Sequence, residues 1–208
     1  PSYEMTAVAD THVFVDGPDK ARGYGRVNTV FVQHGTKLST KPGQEPDIPT
    51  AYAFLKFETS AMEDFPDRSL WPDHMKVSLQ LFHELQLDAA EDDREPMMLH
   101  IVRIPNNYNL DVESWTGTSF DSAPKYTREG VVVGDYMLNP DVSSFPVDIT
   151  KAFHLSDDVM ATGYYEDDQI LLMLAFDEGS VPRSGDEFRS RESSDPPFIR
   201  FDMKEEDD

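Results

Sequence analysis

Few residues of this chain carry positive charge, and their positions are the first guide to any chemistry it performs. The sequence holds 18 Lys and Arg against 40 Asp and Glu, so its net charge is -22 at pH 7. Leu55 and Phe57 alternate with Lys56, which predicts a strand with two apolar side chains facing the core and the ammonium group facing out. Arg189 and Arg191 alternate with apolar and small neighbours in the same way, so we expect both guanidinium groups on one outward face, and we expect Lys56, Arg189 and Arg191 to project from one sheet.

Three further residues lie close together in a predicted loop and extend this set. Arg22 and Arg26 bracket Tyr24, whose ring can stack on a sugar while the guanidinium groups pair with carboxylates. The alternative is that each cation pairs with an Asp or Glu on a neighbouring strand and binds no ligand. Together these residues predict a positive patch for a carboxylated or sulfated polysaccharide. The predicted ligand-binding residues are Arg22, Tyr24, Arg26, Lys56, Arg189 and Arg191.

The net negative charge of the chain argues against nucleic acid as a partner and is compatible with bound cations. A net charge of -22 opposes binding to the phosphates of a nucleic acid over a broad surface. It is typical of a protein that stays soluble in a salty medium, or of one whose clustered carboxylates hold cations. Residues 1–50 carry six acids and five bases, so nearly all of the excess negative charge lies in the rest of the chain. The N-terminal stretch is therefore the least repulsive to an anionic ligand.

Acidic doublets in predicted loops are the candidates for a metal site. Oxygen-rich loops are what Ca²⁺ requires, although none here has the spacing of an EF-hand. Solvated loop charge is the alternative for each, and the sequence predicts structural Ca²⁺ without locating its ligands. The six histidines are scattered and are expected to be packing or surface residues. The acidic positions are Asp92–Asp93, Asp157–Asp158, Asp167–Asp168, and Asp16 with Asp19 around Gly17.

Recognisable catalytic motifs are absent from the sequence. It has no nucleophile elbow, zinc-protease motif, P-loop or dinucleotide-binding glycine motif. It also has no cysteine, which excludes disulfides, cysteine-zinc sites and thiol catalysis. Paired carboxylates can cleave a glycosidic bond, but among 40 acids some pairs are expected by chance. We therefore predict a protein that is not an enzyme, with a polysaccharide lyase or hydrolase as the distant alternative.

Short runs rich in Val, Phe, Tyr and Thr, bounded by turn residues, predict an all-β protein. Helical patterns are weak, and we expect less than about a tenth of the residues in helices. Many short strands with long polar connections favour an antiparallel two-sheet β-sandwich, and within that class a jelly roll. The predicted strands are Thr11–Val15, Val27–His34, Ala51–Glu58, Val77–Leu87, Met97–Ile104, Val131–Val133, Val147–Ile149, Ile170–Ala175, Glu187–Arg191 and Pro197–Met203.

Length and composition indicate one domain. We expect it to span residues 1–203, with a frayed acidic tail at residues 204–208. No run of 18 apolar residues is present, so membrane insertion is not expected. A start at Pro1 without an initiator Met or an apolar leader predicts a piece excised from a larger secreted protein, in which it is tethered to other domains.

Several motifs in order along the chain resemble those of one family. Ala9–Val13 resembles an Ala-Asp-Thr-Tyr-Val opening, and Tyr24–Val32 is similar to a Tyr-Gly…Leu-x-Val segment. Leu55–Glu58 resembles a Leu-Arg/Lys-Phe-Asp strand, and Val147–Thr150 resembles Val-Asp-Val-Thr. Phe188–Ile199 is similar to Phe-x-Ser-Arg-Glu-Ser…Pro-Pro-x-Leu, the most specific of these motifs. The chain thus resembles the DNRLRE-type domains, which overlap with carbohydrate-binding module family 96.

That resemblance carries expectations of its own. It implies a secreted jelly-roll sandwich, often attached to polysaccharide lyases or cell-surface proteins, that binds alginate-like acidic glycans. A further loose match, of Tyr108, Trp115 and Pro124 to a Trp…Trp-x-x-x-Pro pattern, departs at the first Trp and at Leu110, where the family has Glu. Since some relatives are structural or adhesive, the runner-up is a cell-surface β-sandwich, calcium-binding and without a sugar site.

Overall fold

The computed structural model describes residues 2–36, 47–62, 64–84, 95–106, 111–118, 130–166 and 168–203. This part of the chain is all-β, with short 3₁₀ helices at Thr59–Ala61, Arg68–Leu70, Val112–Ser114 and Thr150–Phe153, and an α-helical turn at Asp157–Met160. The strands are β1 (Ser2–Thr6), β2 (Ala9–Phe14), β3 (Thr29–Val32), β4 (Ala51–Glu58), β5 (Lys76–Glu84), β6 (Met97–Arg103), β7 (Val131–Leu138), β8 (Ser144–Asp148), β9 (Gln169–Phe176), β10 (Asp186–Arg189) and β11 (Phe198–Asp202).

Two antiparallel sheets contain these strands. The first has the order β1-β11-β5-β10-β3, with β8 also paired to β5, and the second has the order β2-β4-β9-β6-β7. β11 pairs with the first half of β5 and β10 with its last two residues, while β8 pairs with its middle. The prediction of an all-β protein with two antiparallel sheets is therefore confirmed.

All ten predicted strands are present, β4 with the predicted bounds and the others with shifted ends, and β1 was missed. β1 has one buried residue, Met5, among exposed and half-buried ones, so its sequence carries almost no periodic apolar signal. β10 ends at Arg189, two residues before the predicted end, so Arg191 lies outside the strand. The predicted tail at residues 204–208 and the end of the strand predicted to reach Leu87 lie outside the described residues.

The main core lies between the sheets. Leu55 and Phe57 of β4 face this space from one sheet, and Leu79 and Leu81 of β5 face it from the other, all at most 1% exposed. Burying each such side chain contributes roughly 1.5–3 kcal/mol. Phe188 of β10 also lies in this core, which fixes the outward orientation of its neighbours on the strand.

A second apolar cluster covers the outer face of the five-stranded sheet. Phe54 of β4 is fully buried there, and its ring meets that of Trp115 edge to face at 5.2 Å. β9 lies at the centre of this sheet and is buried on both sides, which explains why Gln169–Phe176 reads as a continuous apolar run. The segment that carries Trp115 is therefore held by packing against the sheet.

The sheets approach each other where the chain passes between them. Ala7 and Val8 join β1 of one sheet to β2 of the other, and the amide of Val8 donates to the carbonyl of Lys56. At the other end, an isolated bridge pairs Gln33 with Ala51, linking the end of β3 to β4. None of the helices in the described ranges has the length and apolar composition needed to cross a bilayer.

One arginine is buried completely. Arg103, at the end of β6, is 0% exposed, and its Nη1 and Nη2 atoms donate to the carbonyls of Ala152 and Glu166 at 2.6 and 2.7 Å. Its guanidinium carbon lies 5.3 Å from the centre of the Tyr165 ring. The arginine therefore ties the end of β6 to two segments that precede β9.

Replacing this buried charge tests that role. Arg103→Met keeps the side-chain length but leaves two carbonyls without their donors, so we expect the free energy of unfolding to fall by about 3 kcal/mol. Urea denaturation with an unchanged slope measures the change. Arg200→Met is the control, because Arg200 is half exposed and pairs with Glu4 at 3.9 Å, and we expect it to shift stability by less than about 0.5 kcal/mol. Equal losses in both variants would contradict the structural role of Arg103.

Candidate functional site

The candidate site is built on two buried polar residues of β2. Asp10 and His12 pair with Leu55 and Ala53 of β4, whose side chains face the core, so both point inward. They are 1% and 6% exposed. The edge of the five-stranded sheet thus carries a carboxyl group and an imidazole beneath the surface.

Tyr24 lies over this edge. Its ring stacks on the His12 ring with centres 4.2 Å apart and planes inclined by 23°, and it also contacts Phe14 edge to face. Burial lowers the pKa of His12 to about 4, so the imidazole is neutral near pH 7. Its Nδ1 atom has no hydrogen-bond partner within the described residues. The Tyr24 ring is therefore held by an uncharged, flat surface.

Gly25 explains how the next residue is placed. A Cβ atom at this position would lie 2.2 Å from the carbonyl oxygen of Glu113, so only glycine allows the two backbones to touch. The contact brings Arg26 beside Glu113, with its Nε atom 3.9 Å from one carboxylate oxygen. Glu113 belongs to the short 3₁₀ helix that Trp115 follows, so the packing of Trp115 also positions this carboxylate.

Arg191 reaches the same place from the connection between β10 and β11. Its backbone amide donates to Asp10 at 2.6 Å, and its Nη1 atom donates to the carbonyl of Val8. Its Nε atom lies 3.0 Å from Glu192 and 3.5 Å from the second carboxylate oxygen of Glu113. Arg191 and Arg26 therefore share one acidic neighbour.

The fourth member is Arg22. Its Nη1 atom lies 3.2 Å from Asp19, and hydrogen bonds to Tyr24 and Asp19 raise the pKa of its guanidinium. The side chain is 70% exposed, and that of Arg26 is 88% exposed. We call the surface formed by Arg22, Tyr24, Arg26 and Arg191 the Tyr24 surface. Chemically it can present guanidinium donors around a fixed aromatic ring.

The other two predicted cations are not part of this surface. Lys56 lies in the five-stranded sheet with only 14% of its side chain exposed, and its Nζ atom is 3.4 Å from Glu58. Arg189 lies in the six-stranded sheet, where its Nε atom pairs with Glu84 at 3.3 Å. The prediction that Lys56, Arg189 and Arg191 project from one sheet is wrong. Alternation along a strand sets the face of a side chain, but it does not tell which sheet the strand joins.

Two of the acidic positions proposed for calcium have other partners. Asp16 accepts a hydrogen bond from the amide of Thr50 at 2.8 Å, and Asp19 pairs with Arg22. Asp157 and Asp158 lie in the first turn of the short α-helix. In the ranges that the structure describes, no group of three or more His, Asp or Glu side chains could hold a metal ion. Asp92–Asp93, Asp167, Tyr108, Leu110 and Pro124 lie outside those ranges.

Three residues of the site were not predicted as site residues. Asp10 and His12 alternate on β2, but alternating polar residues usually face solvent, so the pattern gave no sign of their burial. Glu113 lies in an irregular segment and carries no periodic signal. Its proximity to Gly25 depends on the long-range packing of Trp115.

No protein-family model and no curated protein sequence matches the chain. The resemblance to DNRLRE-type domains therefore stays a prediction. Any functional inference has to come from the geometry of the described residues.

Asp10 gives the site a measurable pH dependence. Burial raises its pKa to about 6, against the hydrogen bond and charge of Arg191, which lower it. The unfolded chain releases this proton near pH 4, so the contribution of Asp10 alone lowers the free energy of unfolding by up to about 3 kcal/mol as the pH rises from about 4 to about 6. Asp10→Asn keeps a hydrogen-bond acceptor for the backbone amide of Arg191 and removes the ionisable group. We therefore expect the free energy of unfolding of this variant, relative to that of wild type, to increase by about the same amount as the pH rises from about 4 to about 6.

Thermal or urea unfolding at a series of pH values measures the difference. Asp73→Asn is the matched control, because it makes the same substitution at an exposed aspartate. If the difference in stability between Asp10→Asn and wild type does not change with pH, the carboxyl group of Asp10 is not desolvated in the folded protein.

Proposed function

We propose that this chain is a non-catalytic carbohydrate-binding module that recognises an acidic, alginate-like polysaccharide through the Tyr24 surface. The observation that carries the proposal is the pair of highly exposed guanidinium groups, Arg22 and Arg26, two residues before and two residues after a tyrosine whose ring stacks on His12. A ring with restricted motion loses little entropy when a sugar stacks on it. Guanidinium groups bind carboxylates in a bidentate way, which suits uronic acids.

The roles within the surface differ. Tyr24 provides the stacking ring, and Arg22 and Arg26 provide the charged contacts. Arg191 is bound to Asp10, Val8 and Glu113, so its role is to position Glu113 and the surrounding backbone and to add positive potential. Each exposed contact is weak in water, so the affinity depends on several acting together and decreases with salt.

The proposal includes a jelly-roll topology. Support comes from the order β1-β11-β5-β8 in one sheet and β4-β9-β6-β7 in the other, in which successive strands alternate between the sheets except at the β6–β7 pair. Two four-stranded sheets connected in this way are the arrangement expected of a jelly roll. β2 is then an addition beside β4, and β10 with β3 extends the other sheet from the last two residues of β5. We further propose that the module is extracellular and tethered to other domains, since its net charge of -22 favours solubility in a salty medium.

A structural or adhesive cell-surface domain is the second candidate. The observation that favours it is that the guanidinium groups already face carboxylates: Arg22 faces Asp19, and Arg191 faces Glu113 and Glu192. On this proposal the pairs stabilise the connections around β2, and the surface binds no glycan. The two candidates differ in what the exposed arginines do.

Neutralising the exposed arginines tests the binding proposal. The double variant Arg22→Gln/Arg26→Gln removes the charged contacts, so we expect it to bind oligomeric alginate at least about tenfold more weakly, as measured by calorimetry at low salt. Arg189→Gln/Arg200→Gln is the matched control, because it removes the same charge from the six-stranded sheet. We expect its affinity to stay within about twofold of wild type.

Other outcomes decide against the proposal. Equal weakening by both double variants would indicate a general charge effect without a site. A wild-type protein that binds no acidic glycan, together with a lower melting temperature in Arg22→Gln/Arg26→Gln than in the control, would favour the structural candidate. Release of unsaturated or reducing sugar ends during the same incubations would indicate a lyase or hydrolase.

The predicted structural calcium ion also stays a prediction and has its own test. A specific site binds the folded state alone, so calcium at 100 times its Kd stabilises the protein by about 2.7 kcal/mol and raises its melting temperature. Magnesium at equal ionic strength is the control, because any divalent ion screens the negative charge of the protein. Equal shifts with both ions would contradict a specific calcium site.

A further inference from the structure

His100 lies between two carboxylates on the outer face of the five-stranded sheet. It is on β6, directly opposite Asp135 of β7, and its Nδ1 atom is 2.5 Å from an oxygen of Asp135. Its Nε2 atom is 2.7 Å from an oxygen of Asp177, which follows the last residue of β9. Three consecutive strands of the sheet therefore meet at one imidazole.

The two distances constrain the protonation of this group. A neutral imidazole has one N–H donor and one lone pair, so it can donate to only one of the two acidic oxygens. An ionised carboxylate only accepts, and a lone pair placed 2.5–2.7 Å from it is repelled. A neutral His100 between two ionised carboxylates is therefore one proton short of what these distances require. The protonated, imidazolium form of His100 donates to both carboxylates and satisfies both contacts.

Asp177 connects this group to the turn that follows β9. Its backbone amide donates to the carbonyl of Met98 at 2.9 Å, and its second carboxylate oxygen accepts from the amide of Gly179 at 3.0 Å. The turn forms one wall of an open pocket of about 280 Å³, whose other walls include Met98 and Met137. Val181, 78% exposed, lies at the same pocket. The contacts that fix Asp177 therefore also fix this wall of the pocket.

We propose that His100, Asp135 and Asp177 form a proton-operated clamp, which fixes the Asp177–Val181 turn against β6 and β7 at neutral and mildly acidic pH and releases it at alkaline pH. Loss of the shared proton turns one of the two short contacts from attractive to repulsive. Asp177 is the member at the surface turn, whereas Asp135 lies within the paired part of β7. The released partner is consequently the turn.

The neighbouring charges act in the same direction. Partial burial lowers the pKa of His100, but the hydrogen bonds to Asp177 and Asp135 outweigh it and raise the pKa above its ordinary 6.5. The bond to His100 and the amide of Gly179 lower the pKa of Asp177, and His34 adds a smaller effect of the same sign. Arg183, which lines the pocket, donates to the backbone carbonyl of Glu95.

These directions define the pH window of the clamp. The stabilisation from His100 is complete below its unfolded pKa and is lost as the pH rises through the raised folded value. The stabilisation from Asp177 is present above the ordinary carboxyl pKa and is lost as the pH falls through the lowered folded value. The clamp is therefore strongest between the two, and the alkaline limit is the one set by His100.

Nuclear magnetic resonance tests both parts of the proposal. We expect the ring carbons of His100 to titrate above pH 6.5, with both ring nitrogens protonated at about pH 6, and Asp177→Asn to move the midpoint down. For the turn, we expect the amide of Gly179 to exchange at least about fivefold more slowly in wild type than in His100→Gln at about pH 6, and at the same rate in both at about pH 9. Comparing the two proteins at one pH removes the intrinsic pH dependence of exchange.

His154→Gln is the matched control, because His154 is exposed and lies at the end of another element. We expect it to leave the exchange of Gly179 unchanged. A His100 midpoint at or below 6.5, or a ratio of exchange rates that is the same at both pH values, would overturn the proposal. If His100→Gln does not fold, the titration of His100 in wild type and in Asp177→Asn still decides it.

Discussion

Burial of β9 on both faces of the five-stranded sheet is the constraint on which the candidate site depends. β9 is apolar along its length, and Phe54 beside it is fully buried on the outer face, so that face needs a cover. The cover is the segment that carries Trp115, and its packing places the 3₁₀ helix with Glu113. Glu113 in turn contacts the backbone of Gly25. The placement of exposed arginines is thus a consequence of apolar packing on the far side of β2.

Asp10 and His12 show how a buried polar edge remains stable over a range of pH. Burial disfavours the charged form of both, and it therefore raises the pKa of the acid to about 6 and lowers that of the base to about 4. As the pH falls from 6 to 4, Asp10 gains a proton that the unfolded chain still lacks, which stabilises the fold. Over the same range His12 gains a proton in the unfolded chain before it does so in the folded protein, which destabilises the fold. The two effects have opposite signs and partly cancel, so the edge stays folded while each group alone would make it sensitive to pH.

The sequence predicted elements better than it predicted their assembly. β4 has the bounds that its alternating residues indicated, because one face of Ala51–Glu58 contacts the core. The same periodicity placed Lys56 and Arg189 on outward faces but could not place them in different sheets, since sheet membership depends on pairing between distant strands. In the loop after β2, Arg22 forms a hydrogen bond with Tyr24, whereas Arg26 lies beside Glu113. This acidic neighbour could not be predicted, because it is 87 residues away from Arg26 along the chain and reaches it only through packing.

The strength of the existing ion pairs decides which arginines can bind a ligand. Arg191 makes four polar contacts, two of them through its backbone amide and Nη1 to Asp10 and Val8, so turning it toward a ligand would break hydrogen bonds that hold the chain together. Arg26 has a single long contact within the described residues, 3.9 Å to Glu113, and that carboxylate is also paired with Arg191. An exposed pair of this kind is worth at most about 1 kcal/mol, so Arg26 can leave it at little cost. An incoming carboxylate therefore competes for Arg26 before it competes for Arg191. In a chain with so many acids, the proposed binding of an anionic ligand depends on the weakness of this pair.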